Sequence, residues 1–367
     1  MDTTGGQCAI IGMSCRFPGG IEGPAMFWDT LQTGRNCVTK VPLSRWDVDA
    51  LAAADTTITS DVARRMRHGG FAEDLELFDS SYFKISTAEA SVMDPQQRML
   101  LEYSCLALED AGHPKNSLQG ANVGVFMGMY GNDAVDRSSS SDPSSAYGVY
   151  ASTGSSASAG VGRISFLFGL QGPCASFDTA CSSSLVAMHS AVRCLQHDDC
   201  DMALVGGVLG LLAPASLRFV AENGMTTPTG RCHTFDEAAD GYARAEGCGV
   251  IVVKRLAKAV EDNDHIYAVI QGVSVAQDGT SATLTAPNGR AQEKLLRTAL
   301  RDAGGLEGGA IGYLETHGTG TALGDPIEMR ALSNVMHQGR QAELVVGAAK
   351  ACVGHLETAA GMVGLIK

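Results

Sequence analysis

The chain has 367 residues, 45% hydrophobic and 18% charged, with a formal net charge of −13. That length and apolar content suit a large buried core and exclude a disordered chain, and the acidic balance argues against a nucleic-acid partner. No apolar run reaches bilayer-spanning length, and Met1–Gly6 carries neither a basic nor an apolar signal region, so a soluble cytoplasmic protein without a membrane span is expected.

In chain order, Gln7–Met13 reads as an apolar strand and Ser14–Gly20 as the loop after it. A helix around Ala25–Thr33 carries Phe27, Trp28 and Leu31 on one side, and Arg35–Phe71 reads as an irregular polar excursion. The excursion holds the one dense basic cluster, Arg64, Arg65, Arg67 and His68. It suits docking of an acidic partner and equally a solvated face or subunit contact. Asp94-Pro95 pairs an N-cap with proline at the first helical position, starting a helix whose apolar face is Met99, Leu100, Tyr103, Leu106 and Ala107 and which stops at Gly112. A strand Asn122–Met129, a loop Arg137–Ser145, a helix Ala151–Leu170 and a short buried strand Pro173–Phe177 follow.

The stretch Phe177–Leu195 then places Cys181 at a strand-to-helix turn, in the first turn of a helix whose apolar positions are Leu185, Met188, Val192 and Leu195. Unpaired N–H groups at a helix start favour a thiolate and can bind an oxyanion on a thioester that the sulfur attacks. Ala180 and Ser182–Ser184 leave room for an acyl chain. A cysteine taken blind is more often a small buried hydrophobe than a nucleophile. The eleven cysteines are scattered without a C-x-x-C pair, so neither a disulfide framework nor a metal site is indicated.

Beyond it lie a strand Met202–Val208, an irregular region from Thr226 to Gly241 and a strand Cys248–Lys254. The pattern then restarts with strand Ile266–Val275, helix Ala291–Ala303, strand Ile311–Glu315, helix Pro326–His337, strand Leu344–Ala348 and a helix from about Thr358. This alternation predicts an α/β fold around a mostly parallel sheet, in two similar halves, residues 1–256 and 257–367, though no residue-level repeat links them.

Two stretches of the second half carry chemistry. Glu315-Thr316-His317-Gly318-Thr319-Gly320-Thr321 leads through Gly324-Asp325 to Glu328, with glycines that let backbone approach a ligand and hydroxyls on Thr319 and Thr321 to meet it. As a dinucleotide-binding turn its spacing is wrong. Lys350, Cys352 and His355 follow the next strand. One cysteine and two histidines at separate strand ends suit acyl transfer, with the sulfur holding an acyl group and the imidazoles stabilising negative charge.

Asp178-Thr179-Ala180-Cys181-Ser182-Ser183-Ser184, His317-Gly318-Thr319-Gly320-Thr321 and Lys350 before Gly354-His355 resemble the ketosynthase (β-ketoacyl synthase) domains of modular polyketide synthases. Met93–Arg98, Ala239–Tyr242 and Leu284–Gly289 match the same family, and the resemblance runs from about Cys8 to Lys367. It implies a thiolase-like five-layered α-β-α-β-α fold, a homodimer, and decarboxylative Claisen condensation. Cys181 would take an acyl chain from the phosphopantetheine thioester of an acyl carrier protein. His317 and His355 would stand at the thioester carbonyl of a malonyl-type extender, supported by Lys350, Asp325 and Glu328, with no cofactor bound by the chain itself. Two departures stand out: Cys352 replaces a common asparagine, and nothing matches the family's closing Gly-Phe-Gly-Gly segment, so an incomplete second half is expected. The alternatives are a weakly catalytic carrier-binding or scaffold subunit, and a thiolase, whose sites use a second cysteine.

Overall fold

The computed structural model describes residues 6–131 and 147–367; the predicted loop Arg137–Ser145 falls outside them. The main sheet is built from β1 (Cys8–Phe17), β2 (Ile21–Glu22), β5 (Val123–Gly128), β6 (Cys174–Phe177), β7 (Met202–Leu209), β8 (Gly247–Arg255) and β9 (Ala268–Ile270). Its order is β2-β1-β8-β7-β5-β6, with β9 also paired to β1. Two small pairs, β3 (Val38–Lys40) with β4 (His68–Gly70) and β10 (Tyr313–Glu315) with β11 (Val345–Gly347), stand apart from it.

The sheet is mixed rather than mostly parallel. β5 runs parallel to β6 and β7, whereas β8 is antiparallel to β7 and β1, and β9 is antiparallel to β1. The cause is the excursion from 210 to 246, which leaves β7 at Leu209 and enters β8 at Gly247, its register partner. Alternation of strands and helices fixes layers but not strand direction, since only a connection that traverses the sheet makes neighbours parallel.

Alternate residues of the central strands face two cores. Val125, Met127, Leu204, Val250 and Val252 pack with the helices Pro95–Asp110 and Ala157–Phe168 on one face. Phe126, Ala203, Val205, Ile251 and Val253 pack with Ser183–Gln196 and Ala360–Ile366 on the other. Because both faces are covered, β7 and β8 read as continuous apolar runs.

Several local expectations need correction. The first strand continues through the predicted loop to Phe17, and a turn at Gly19 and Gly20, with φ of 78° and 73°, folds it back into β2. The excursion Arg35–Phe71 contains β3, β4 and the helices Val48–Ala54 and Ser60–Arg65. Trp28 (51%) and Leu106 (47%) point outward, leaving Phe27 to pack edge-on against Phe17. The helix predicted over Ala151–Leu170 is two, Tyr147–Ser155 and Ala157–Phe168, divided at Ser156. β6 is an edge strand with Cys174 exposed, not a buried one. The start at Asp94-Pro95 is as expected, the Asp94 carboxylate accepting from the Gln96 N–H at 2.8 Å.

Candidate active site

Cys181 sits on an elbow between β6 and the helix Ser183–Gln196. Ala180 adopts φ 54°, a left-handed conformation that costs a non-glycine residue about 1 to 2 kcal/mol. Ser183 holds the turn, its hydroxyl accepting from the Thr179 N–H at 2.9 Å and donating to the Ala180 carbonyl at 2.6 Å. Ser182 is the N-cap, so Cys181 precedes the first helical turn instead of lying within it.

The other two side chains arrive on loops after β10 and β11. Glu328 clamps the first loop by accepting from the N–H groups of His317 and Gly318 at 2.7 and 2.9 Å. Asp325 accepts from the Gly320 N–H at 3.1 Å and the Phe235 N–H at 2.8 Å, tying this loop to the irregular region. The predicted supporting carboxylates therefore act on the loop backbone, not on the imidazoles. His355 is pinned by its main chain, which donates to the Ala243 carbonyl at 2.7 Å and accepts from the Ala245 N–H at 2.9 Å. Its Nδ1 accepts from the Glu357 N–H at 3.1 Å, which places the proton of the neutral ring on Nε2.

These loops bring the three predicted residues together. One donor atom each of Cys181, His317 and His355 lies within 4.8 Å of the others, and the imidazoles meet edge to face with centroids 5.4 Å apart. Such a set resembles a soft metal site, but the buried Lys350 ammonium that depresses both histidines opposes a bound cation.

The electrostatics oppose charge on the imidazoles. Burial, then the Lys350 charge, lowers His317 to about 3; its ring opens onto the cavity while protein surrounds it on its other sides. Burial, then Lys350, His317 and Arg244, holds His355 well below the usual imidazole range. The thiol departs from expectation. Burial raises the Cys181 pKa, and Lys350 and its own N–H only partly oppose the rise, so the helix start does not deliver a resting thiolate. Burial likewise lowers Lys350 and raises Glu328.

Two cavities meet at Cys181 and His317. One, of about 570 Å³, is lined by Thr319, Thr321, Tyr242 and Phe219; the other, of about 290 Å³, by Leu185, Lys350, Val363 and Leu365. The Thr319 and Thr321 hydroxyls lie 3.3 Å apart, and Thr321 also accepts from the Gly324 N–H at 3.2 Å. Sequence reasoning missed Arg244, 1% exposed, which forms a bidentate ion pair with Glu357 at 2.7 and 2.9 Å. The charged residues flanking Tyr242 and His355 were its only signal. The basic cluster is largely neutralised: Arg64 and Arg65 pair with Asp61, and Arg67 with Asp49.

The geometry agrees with comparisons to known proteins. The model for "Beta-ketoacyl synthase, N-terminal domain" matches residues 7–259, and that for "Beta-ketoacyl synthase, C-terminal domain" matches 267–367. The chain belongs to the β-ketoacyl synthase family. It is similar to two different phenolphthiocerol/phthiocerol polyketide synthase subunits of Mycobacterium tuberculosis, 46% identical over 359 residues to one and 45% over 362 residues to the other. Each alignment covers 98% of this chain but only 23% and 16% of those much longer proteins. Among solved structures, the ketosynthase from module 6 of the bacillaene synthase of Bacillus subtilis superimposes with a TM-score of 0.88 at 37% identity. An oxazolomycin ketosynthase domain of Streptomyces albus does so with 0.88 at 36%. Both alignments cover 98% of this chain, and 60% and 61% of the solved chains. The fold is thus the thiolase-like α/β fold of ketosynthases. No described helix is long and apolar enough to cross a membrane.

Proposed function

We propose that this chain carries the β-ketoacyl synthase centre of a polyketide synthase, an acyltransferase that extends acyl chains by decarboxylative Claisen condensation. The observation that carries the reading is the convergence of Cys181 with two imidazoles held neutral beside it. Residues 1–256 supply the nucleophile and residues 257–367 the histidines.

In the first half-reaction the Cys181 sulfur attacks an acyl thioester on the phosphopantetheine arm of an acyl carrier protein. The new C–S bond replaces the old one, and the thiol proton leaves with the departing phosphopantetheine sulfur. The arm is substrate, and the Thr319 and Thr321 hydroxyls line the cavity it enters. In the second, a malonyl-type carrier-protein thioester loses carbon dioxide, and the electron pair of the broken C–C bond forms an enolate. His355, protonated on Nε2, and His317 donate hydrogen bonds to its oxygen. Imidazoles that resist becoming imidazolium suit this role, because the N–H of a neutral ring donates a hydrogen bond yet is too weak an acid to protonate the carbanion carbon. The carbanion attacks the acyl-Cys181 carbonyl, the C–S bond breaks with its electron pair on sulfur, and the sulfur takes a proton from water as the β-ketoacyl product leaves.

A homodimer in the cytoplasm completes the proposal. The edge strand β6 and Phe166, 82% exposed on the neighbouring helix, offer pairing groups and apolar surface for a second copy.

The test is intact mass spectrometry after incubation with an acyl thioester. A single acyl gain that disappears in Cys181→Ala is expected, followed by carbon dioxide release and ketoacyl product when malonyl carrier protein is added. A folded protein that gains no mass would point instead to a carrier-binding scaffold.

A further inference from the structure

The larger cavity beside Cys181 has an uneven wall. Phe219 and Val220 make one part apolar, whereas Tyr130, Ser216, Arg244 and Glu357 make another polar. The polar groups satisfy one another, Arg244 donating to the Ser216 hydroxyl at 2.9 Å, to the Tyr130 hydroxyl at 3.2 Å and to both Glu357 oxygens. Tyr242 stands outside this network. Its ring packs edge-on against His355, with centroids 5.1 Å apart, and it lines the same cavity as Cys181.

The Tyr242 hydroxyl has no hydrogen-bond partner among the described residues, and the partly buried Tyr242 side chain lines the cavity together with Cys181 and His355. Burial, then the Glu357 charge, pushes its pKa up, so the phenol keeps its proton and is a donor. A half-desolvated donor without a protein partner is costly until an acceptor meets it. If the proposed function is right, the thioester end of the substrate occupies this cavity, its arm towards Thr319 and Thr321 and the start of its acyl chain at Cys181, so an oxygen on the β-carbon lies only a few bonds from the sulfur.

Resting on that reading, we propose that Tyr242 sets acyl selectivity by donating a hydrogen bond to an oxygen near the thioester end of the chain. β-Hydroxy and β-keto acyl groups are then preferred over fully reduced groups of the same shape. No bond is made or broken by Tyr242; it discriminates as Cys181 is acylated.

The test uses N-acetylcysteamine thioesters of 3-hydroxybutanoate, 3-oxobutanoate and 3-methylbutanoate, the last replacing the oxygen with a methyl group. Initial rates of mass gain at Cys181 are read by intact mass spectrometry. Both oxygenated groups should load about three- to tenfold faster than the methyl analogue, as expected for one hydrogen bond. In Tyr242→Phe the ratio should fall towards one, whereas a purely structural role would slow all three substrates and leave the ratio in place. Equal loading of all three by the wild-type protein overturns the inference alone, whatever the variant does. An unchanged ratio in a Tyr242→Phe protein of normal melting temperature overturns it too. No loading by any of the three overturns it together with the proposed function.

Discussion

Arg244 and Glu357 grip each other through two hydrogen bonds, 2.7 and 2.9 Å long, directly behind the pair of backbone bonds that pins His355. Arg244 sits between Ala243 and Ala245, which hold the His355 main chain, and Glu357 supplies the N–H that fixes the His355 tautomer. One ion pair therefore couples both supports of the imidazole. Breaking a buried pair from one side leaves an uncompensated charge and costs about 3 to 5 kcal/mol. Arg244→Met is expected to lower the melting temperature and to slow condensation, and Arg244→Met/Glu357→Gln should recover part of the stability. A single variant within about 0.5 kcal/mol of wild type in denaturant melts would show that the pair carries no such load.

Gly207 makes the meeting of the two half-sites sterically feasible. A Cβ there would stand 2.6 Å from the Thr358 carbonyl oxygen and 2.9 Å from both the Ala359 Cα and the Ser184 Cβ. Its register partner Gly128 makes the same allowance for the Ser183–Ser184 backbone. Gly207→Ala should cost about 1 to 3 kcal/mol by overpacking and should slow Cys181 acylation, because it forces the nucleophile helix away from the His355 turn. Gly162→Ala is the contrast, since its Cβ meets nothing within 4 Å in a helix interior. It should be neutral or stabilise by up to about 1 kcal/mol. Equal melting temperatures and acylation rates for Gly207→Ala and wild type would contradict the close-packing argument.

The histidines set a pH dependence with a definite sign. His317 falls from its ordinary 6.5 to about 3 on folding, and His355 shifts the same way. The unfolded chain therefore binds more protons between those values. Stability is present in full above about 6.5 and is lost as pH falls towards 3. Chemical-denaturant midpoints should decline over that window, and His317→Gln should decline less steeply. A midpoint as high at pH 4.5 as at pH 7.5, with the same slope in the variant, would refute the depressed pKa values.

The site was legible in the sequence to the extent that its residues lie in local strings. His317, Thr319 and Thr321 share one glycine-rich loop, and Lys350 and His355 share another, so chemistry and strand-end position can be read together. What sits behind them was not legible. Arg244 and Glu357 are 113 positions apart, and each looks like an ordinary surface charge until the chain brings them together. Strand direction was hidden for a related reason. The return from Leu209 to Gly247 is set by where the excursion packs, not by the residues of either strand. The thiol shift shows a different limit. Position at a helix start is visible in a sequence, but the burial that outweighs it is a property of the assembled cavity.

A Cys181 thiol raised above its ordinary 9.0 by burial is mostly protonated at neutral pH, with the Lys350 charge as the first opposing influence. Alkylation of Cys181 by iodoacetamide should therefore climb through pH 9 without a neutral plateau. Removing the cation in Lys350→Met destabilises the thiolate further, so the profile should move to higher pH and the rate at pH 8 should fall several-fold, whereas Lys350→Arg should keep part of the effect. The same Lys350→Met change should raise the melting temperature, because a buried ammonium whose pKa is lowered by desolvation costs stability at neutral pH. A wild-type alkylation rate that levels off below pH 8 would mean that the helix start outweighs burial, and acyl transfer would then begin from a preformed thiolate. A rate that still climbs at pH 9 would mean that burial outweighs the helix start and that the resting thiol is protonated at neutral pH.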